Sequence, residues 1–273
     1  AQAVRAAGIE VLSNHVITDV GGRHEVKNVS VMALDEAGDV RGEPRVIECD
    51  VVGLSGGFSP VIHLHAHPGG KTRFDAELGA FVAAESALAE WIAGAAAGYG
   101  SLAQCLESGF SSGDSAAKAA GIKGRKVGDR PKAEEIEVSD MRTTWLVPAP
   151  TPAEVGPKRF VDYQNDTTAA DLQLAVREGY QSIEHVKRYT ALGFGTDQGK
   201  LGNINGMGIV SSALGHGPEM VGTTTFRAPY TPVTFGAVAG RHMGDMLDPV
   251  RKTAMHHWHE EQGALFENVG QWH

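Results

Sequence analysis

Residues 158–205 read KRFVDYQNDTTAADLQLAVREGYQSIEHVKRYTALGFGTDQGKLGNIN, and this stretch decides the fold of the central part of the chain. Asp166 and the two threonines after it are suitable helix caps, and the apolar residues from Leu172 onward have helical spacing. A second helix is predicted around Ile183 and Val186, with basic residues near its C-terminal end. Three glycines between positions 193 and 199 then predict a tight loop. The pattern predicts a helical hairpin with a loop at each end.

This hairpin has two interpretations that the pattern leaves open. It is a plain packing module, or it resembles the small helical domain that binds a [2Fe-2S] cluster in bacterioferritin-associated ferredoxin and in several amine dehydrogenase subunits. In that domain cysteines occupy the positions of Asp162, Gln164 and Asp197. Cluster iron requires thiolate ligands that these side chains do not provide. The resemblance therefore implies the frame of a cluster domain without an Fe–S cluster.

Composition and charge exclude several classes of protein. The formal net charge is −9, and both signs are interspersed along the 273 residues, which argues against nucleic-acid binding. No run of 18 apolar residues is present, so we expect no membrane span. Cys49 and Cys105 lack metal-binding spacing and are predicted to be reduced, buried residues of a cytoplasmic protein. The chain opens and stops inside recognisable patterns, so we expect it to be an internal piece of a longer protein.

The N-terminal third favours an α/β architecture. A short helix at 3–8 precedes predicted strands at 9–20, 27–35 and 45–54, with a hairpin turn at 36–39. The end of the third strand, IECDVVGLSGGFSP, resembles the exit from the central domain of flavoproteins with two dinucleotide-binding domains. A glycine turn after a buried strand is the simpler interpretation.

The next segment, AEWIAGA at 89–95, resembles the strand of that flavoprotein family that ends in Ala-Gly-Asp. The family's aspartate binds the ribityl hydroxyls of FAD, but Ala95 stands in its place, and a methyl group accepts no hydrogen bond. The resemblance thus implies a site for NAD rather than FAD. A helix predicted from Ser101 to Glu107 would direct free N–H groups at a phosphate or ribose oxygen. By the same resemblance, the cofactor contacts are Ala95, Gly100 and Leu102.

Taken together, these stretches resemble the alpha subunits of heterotetrameric sarcosine oxidases. The run around TTTFRAPYTPV at 223–233 carries the resemblance further, and so does the end of the chain, RKTAMHHWHEEQGALFENVGQW. The latter resembles the opening of the aminomethyltransferase (glycine-cleavage T-protein) fold. Because two prolines bar the 223–233 run from helix, it is predicted to be extended, either packed on its own domain or covered by another chain.

The predicted fold class is α/β, part of a two-dinucleotide-binding flavoprotein-like domain, followed by the cluster-free helical domain and the start of an aminomethyltransferase-like α+β domain. The predicted boundaries are 1–115 for the C-terminal part of the dinucleotide-binding domain, 116–157 for a linker with one strand, 158–205 for the helical domain, 206–250 for an extended connector and 251–273 for the aminomethyltransferase-like start.

The resemblance implies oxidative demethylation of sarcosine in an assembly with beta, gamma and delta subunits. It implies NAD in this subunit, FMN at the subunit interface, FAD in a partner subunit, and transfer of the one-carbon unit to tetrahydrofolate or its release as formaldehyde. The folate site would belong to the remainder of the aminomethyltransferase half. We expect no catalytic acid or base in this segment, which alone would be inactive. A non-catalytic scaffold and the alpha subunit of another amine or opine dehydrogenase are the alternatives.

Two groups of histidines are candidate metal sites. His63, His65 and His67 alternate and are predicted to share one strand face, whereas His256, His257 and His259 are predicted on a helix. Neither group has an acidic or cysteine partner at a suggestive spacing, so no metal site is predicted.

Overall fold

The computed structural model describes residues 2–123, 128–136, 143–225, 228 and 231–273. The chain forms two compact units, residues 1–230 and residues 231–273. The first unit contains both helices and strands, and all pairings between its described strands are antiparallel. Among the described residues, no helix combines the length and apolar character needed to cross a lipid bilayer.

The first unit begins with helix α1 (Gln2–Ala6) and a three-stranded antiparallel sheet in the order β1-β2-β3. The strands are β1 (His15–Gly22), β2 (Val26–Leu34) and β3 (Val40–Glu48). The Asp35 carboxylate accepts from the Gly38 and Asp39 amides at 2.9 and 3.0 Å and forms the predicted turn. β1 starts six residues later than predicted and β3 five residues earlier, because strand ends depend on pairing partners.

The region predicted to contain alternating histidines on a strand is helical instead. His63 and His65 lie buried in the short helix α2 (His63–Ala66), and the hairpin of β4 (Thr72–Asp75) and β5 (Ala80–Ala83) follows. The predicted strand before Ala95 is also wrong. Residues 89–93 belong to no strand, and Ala95 lies in a 3-10 helix, Gly94–Ala97. Short alternating patterns without long-range pairing do not determine a strand.

Helix α3 (Leu102–Ala119) is longer than predicted and extends into the segment interpreted as a linker. The Ser101 hydroxyl accepts from the Gln104 amide, and the Gln104 side chain accepts from the Ser101 amide, which forms a capping box. Cys105 lies in this helix and is half-buried, as is Cys49, so the prediction of two buried cysteines is wrong. A strand is predicted in the linker between Glu135 and Val147; residues 137–142 lie outside the described residues, and the described residues at 135–136 and 143–147 form no strand.

The helical hairpin is confirmed. Strands β6 (Phe160–Asp162) and β7 (Thr167–Thr168) pair just before α4 (Ala169–Arg177), and α5 (Ile183–Thr190) follows. Thr168 is the N-cap of α4, since its hydroxyl accepts from the Asp171 amide, and Gly179 turns the chain with a φ of 100°. Local capping and periodicity thus determine this part of the fold.

The predicted extended connector after residue 205 is largely helical, so that prediction is wrong. Helix α6 (Asn203–Leu214) runs across the predicted boundary and ends at Gly215, whose φ is 71°. Helix α7 (Pro218–Val221) follows it. Apolar residues on α6 pack into the hairpin core, and this burial favours helix over an extended chain. The largest fully buried apolar side chains are Leu172, Ile183, Val186, Leu192 and Val210.

The second unit contains α8 (Phe235–Ala239), a 3-10 helix (Arg241–Leu247) and α9 (His256–Glu261). The prediction of a helix with His256, His257 and His259 is confirmed. His256 is buried, and its ring stacks on Phe266 with centroids 4.3 Å apart. Among the described residues, no group of three His, Cys, Asp or Glu side chains is arranged to hold a metal ion.

Candidate functional site

The two loops of the helical hairpin are joined by Asp162, one of the three predicted ligand positions. Its side chain is buried, and Oδ1 accepts from the amides of Gln164 and Asn165 at 2.8 and 3.0 Å. Oδ2 accepts from the Gly193 amide at 2.6 Å, across 31 residues of sequence. A carboxylate with three N–H donors is well solvated by the protein and holds both loops together.

Gln164 and Asp197, at the other two positions, also accept hydrogen bonds from the loops, at longer distances. Gln164 Oε1 accepts from the Thr196 hydroxyl and the Asp197 amide at 3.3 and 3.4 Å. The Asp197 carboxylate accepts from the amides of Gly199 and Leu201 at 3.1 and 3.2 Å. Oxygen atoms at all three positions therefore bind amides of the loops. Asp162 and Gln164 thus join the first loop to the glycine loop, whereas the Asp197 contacts lie within the glycine loop.

Asn203 connects the glycine loop to the segment after α7. Its side chain is buried, and Nδ2 donates to the Thr224 hydroxyl at 2.7 Å. A Cβ atom on Gly193 or Gly199 would come within 2.5 Å of the Asn203 amide group, and both glycines have positive φ. The close approach explains why these loop positions require glycine.

Thr224 also lines a cavity in the first unit with a volume of about 580 Å³. The wall combines cationic, hydroxyl and aromatic side chains with glycine backbone, contributed by residues 69–74, Phe81, Glu219 and residues 222–225. The Phe74 and Phe81 rings meet edge to face with centroids 5.3 Å apart. Cavities that combine an aromatic wall with a few polar groups are typical of cofactor sites.

Glu184 on α5 binds a residue that lines one side of this cavity. Its Oε1 accepts from the Thr225 amide at 2.5 Å, and its Oε2 accepts from Arg188 at 2.8 Å. Burial alone would raise the pKa of Glu184, but the Thr225 amide, Arg188 and Lys187 lower it below its ordinary value. The ionised carboxylate thus holds residues 223–225 against the hairpin.

A buried histidine cluster adjoins the other side of the cavity. His65 Nδ1 lies 2.5 Å from Glu90 Oε1, and Nε2 lies 2.7 Å from the Lys71 carbonyl oxygen. The neighbouring His63 is also buried. Burial, together with the nearby charges of Lys200 and His67, lowers its pKa to about 4. His63 is therefore neutral at physiological pH, whereas His65 faces an anion.

The residues predicted to contact a dinucleotide lie near each other on the surface. Ala95 is exposed in the 3-10 helix, Gly100 is exposed before α3, and Leu102 is the first residue of α3, with 63% of its surface exposed. None of the three lines the 580 Å³ cavity. The capping box already uses the Ser101 and Gln104 amides, so the N-terminus of α3 has fewer free donors than expected.

The cavity was not predicted from the sequence. Two signals for it were present in the sequence, the GGKTRF run at 69–74 and the three consecutive threonines at 223–225. Because 145 or more residues separate the two runs, no local pattern predicts that they meet. Arg227 and Tyr230, named in the extended 223–233 run, lie outside the described residues.

Comparison with known proteins gives consistent matches. Residues 156–241 match the sarcosine oxidase A3 domain family. The chain is 43% identical to sarcosine oxidase subunit alpha of Corynebacterium sp. strain U-96 over 277 aligned residues, covering all of this chain and 28% of that protein. It is 41% identical to the corresponding subunit of Rhizobium meliloti strain 1021, covering 85% of this chain and 23% of that protein. The chain thus spans about a quarter of the length of these relatives.

A solved structure supports the fold. The crystal structure of L-proline dehydrogenase from P. horikoshii aligns with a TM-score of 0.59 at 19% identity, covering 88% of this chain and 47% of that one. At this identity the match shows a shared fold, that of a flavoprotein-like α/β fragment.

Proposed function

We propose, on the premise that this chain belongs to the sarcosine oxidase alpha-subunit family, that it is a segment of a flavin-dependent amine oxidoreductase. The observation that carries the proposal is 43% identity over the whole length of the chain. The assembly would contain beta, gamma and delta subunits, work in the cytoplasm, and demethylate sarcosine oxidatively. Its one-carbon product would pass to tetrahydrofolate or leave as formaldehyde.

Within this assembly, the segment would bind and position cofactors and present a surface to partner subunits. FAD in a partner subunit and FMN at the subunit interface would supply the redox chemistry. Oxygen side chains at positions 162, 164 and 197 accept hydrogen bonds from loop amides, so the helical domain is proposed to function without an Fe–S cluster.

The 580 Å³ cavity is our proposed site for the FMN. Lys71 and Arg73, of which Arg73 also pairs with Asp75 at 3.1 Å, would supply positive charge for a phosphate. The aromatic rings of Phe74 and Phe81 would supply an apolar wall for a planar ring system. Glu219 lines the same cavity with the opposite charge, so the phosphate is expected on the Lys71 and Arg73 side.

The test is the FMN occupancy of the assembled complex, measured by chromatography that separates FMN from FAD after denaturation. Because charge-assisted hydrogen bonds contribute about 1.5–3 kcal/mol, Arg73→Ala or Lys71→Ala should weaken FMN binding by about tenfold or more. Lys118→Ala is the matched control, since Lys118 is exposed and pairs with Asp114 on α3. Full FMN occupancy at limiting FMN in both cavity variants would overturn the assignment.

NAD is proposed to bind near Ala95, Gly100 and Leu102. The exposed Ala95 methyl group offers no acceptor for ribityl hydroxyls, which disfavours FAD in this orientation. The amides of residues 102 and 103, at the start of α3, would meet the phosphates. Chromatography of nucleotide extracted from the isolated full-length alpha subunit should yield NAD, and stoichiometric FAD would contradict the proposal.

The rival functions are a non-catalytic scaffold and an alpha subunit of another amine or opine dehydrogenase. Peroxide production and reduction of an artificial electron acceptor by the assembled complex distinguish the three when sarcosine, other secondary amines and opines are compared. The present proposal requires activity with sarcosine. An assembled complex that is inactive with every amine would support the scaffold.

A further inference from the structure

Three segments of the first unit meet at the imidazole of His65. The residue lies in α2 and is 3% exposed. Its Nδ1 contacts Glu90, in the segment that leads to the 3-10 helix, and its Nε2 contacts the carbonyl oxygen of Lys71, at the start of β4. One side chain therefore joins the short helix, the wall of the cavity and the segment before Ala95.

Both partners of the ring are acceptors. A backbone carbonyl carries no proton, and an ionised carboxylate accepts only. A neutral imidazole has one N–H, so it would leave one of the two oxygens facing a nitrogen lone pair. Both ring nitrogens therefore donate, and His65 is an imidazolium in this arrangement. Burial alone would lower the pKa of His65, but the hydrogen bonds to Lys71 and Glu90 and the charge of Glu90 outweigh it and raise the pKa.

The backbone at Gly70 lies very close to the His65 ring. The Gly70 amide donates to the His65 carbonyl at 3.1 Å, and a Cβ on Gly70 would lie 2.5 Å from the ring's Cε1 atom. The Lys71 carbonyl also accepts from the Ala84 amide at 2.8 Å, and the Lys71 amide donates to the Glu85 carbonyl at 2.8 Å. The imidazolium is thus a second donor on the carbonyl that extends the β4–β5 hairpin.

We propose that the His65 imidazolium is a positioning group that locks residues 84–95 against the cavity wall at Lys71, and that loss of its proton releases this segment. The lock connects the two regions assigned above to FMN and NAD. Only the identity of these ligands rests on the proposed function, because the lock itself is a property of the described contacts.

The sign of the pH effect follows from the direction of the shift. The pKa of His65 is higher in the folded protein than its unfolded-state value of about 6.5. Protonated His65 therefore contributes its full stabilisation below the unfolded-state pKa, and this contribution is lost as the pH rises through the folded-state pKa. The charged group that contacts the ring is Glu90, whereas Lys71, just before β4, contacts it through its backbone carbonyl. The neighbouring His63 has Lys200 and His67 nearby. His63 stays neutral above a pH of about 4, so it does not titrate in this range.

Hydrogen exchange of the assembled full-length complex, followed by mass spectrometry and corrected for intrinsic rates, tests the lock. Losing one charge-assisted hydrogen bond should speed exchange in residues 84–95 by about tenfold or more at high pH relative to pH 6. His65→Gln should exchange fast at both pH values. His24→Gln, an exposed residue in the β1–β2 turn, is the matched control and should behave like the wild type.

Glu90→Gln provides a second variant if His65→Gln does not fold. It keeps an acceptor for Nδ1 but removes the charge, so the midpoint of the opening should move to lower pH. Wild-type exchange in 84–95 that does not depend on pH, or an unmoved midpoint in Glu90→Gln, would overturn the lock. NAD titration of the same variants separates the proposals. Faster exchange with unchanged NAD affinity would retain the lock and reject only its link to NAD.

Discussion

Asp162→Asn is the most informative test of how the helical hairpin is held together. Asparagine has the same shape as aspartate but replaces one oxygen with a donor. The native carboxylate accepts three amides, two on Oδ1 and the Gly193 amide on Oδ2. The best orientation of the new amide keeps the two local bonds and directs its NH₂ group at the Gly193 N–H, so the bond between the loops is lost.

The expected cost follows from this geometry. A buried hydrogen bond to a charged group contributes about 1.5–3 kcal/mol, and leaving the Gly193 donor unsatisfied makes the upper part of that range the better estimate. We therefore expect the hairpin to lose about 2–3 kcal/mol of stability. Hydrogen exchange measured in increasing urea on peptides from residues 160–214 reports the free energy of opening of this region directly.

Asp166→Asn is the matched control, because the same chemical change occurs four residues away at an exposed side chain. Asp166 has a φ of 53°, which asparagine also adopts readily, so its substitution should change stability by less than about 0.5 kcal/mol. Equal effects of the two substitutions would refute the conclusion that Asp162 joins the two loops.

Three further predictions concern the core, an internal histidine and the ligand positions. Ile183→Ala should destabilise the hairpin by about 2–5 kcal/mol in the same exchange assay, because Ile183 is 1% exposed. Ile122→Ala, at a site that is 52% exposed, is the control. An equal loss of stability in the two variants would contradict the assignment of Ile183 to the core. The pKa of His63 is about 4. The contribution of His63 to the free energy of unfolding should therefore fall as the pH is lowered from 6.5 to about 4. Acid titration followed by circular dichroism should show that this pH dependence is absent in His63→Leu. Anaerobic reconstitution with iron and sulfide should add no iron and no cluster absorption to the protein, and two irons per chain with the visible absorption of a cluster would show that the ligand positions are misassigned.

The features predicted correctly from sequence are those determined within one or two turns of chain. The hairpin was predictable because Thr168 caps α4, Gly179 ends it, and Ile183 and Val186 follow helical spacing. The helix with His256 was predictable for the same reason. In each case the residues that determine the element lie within it or directly beside it.

The features that could not be predicted depend on distant partners. The three alternating histidines predict a strand, but no strand in the described part of the chain pairs with them, and two of them are buried in a helix. Ala95 was placed on a strand by resemblance, whereas the chain turns there at Gly94 and Gly98, both with positive φ. The link from Asp162 to Gly193 spans 31 residues, so no local pattern predicts it.

The bond from Asp162 to Gly193 also changes what the protein requires during its synthesis. An iron–sulfur cross-link forms only after a cell has assembled and delivered a cluster, and oxidants attack it. A carboxylate and a backbone amide are present as soon as the chain leaves the ribosome, so this junction closes in the course of folding. The hairpin is therefore expected to mature at the same rate in iron-starved and iron-replete cells, and to stay closed in a protein whose proposed reaction releases peroxide.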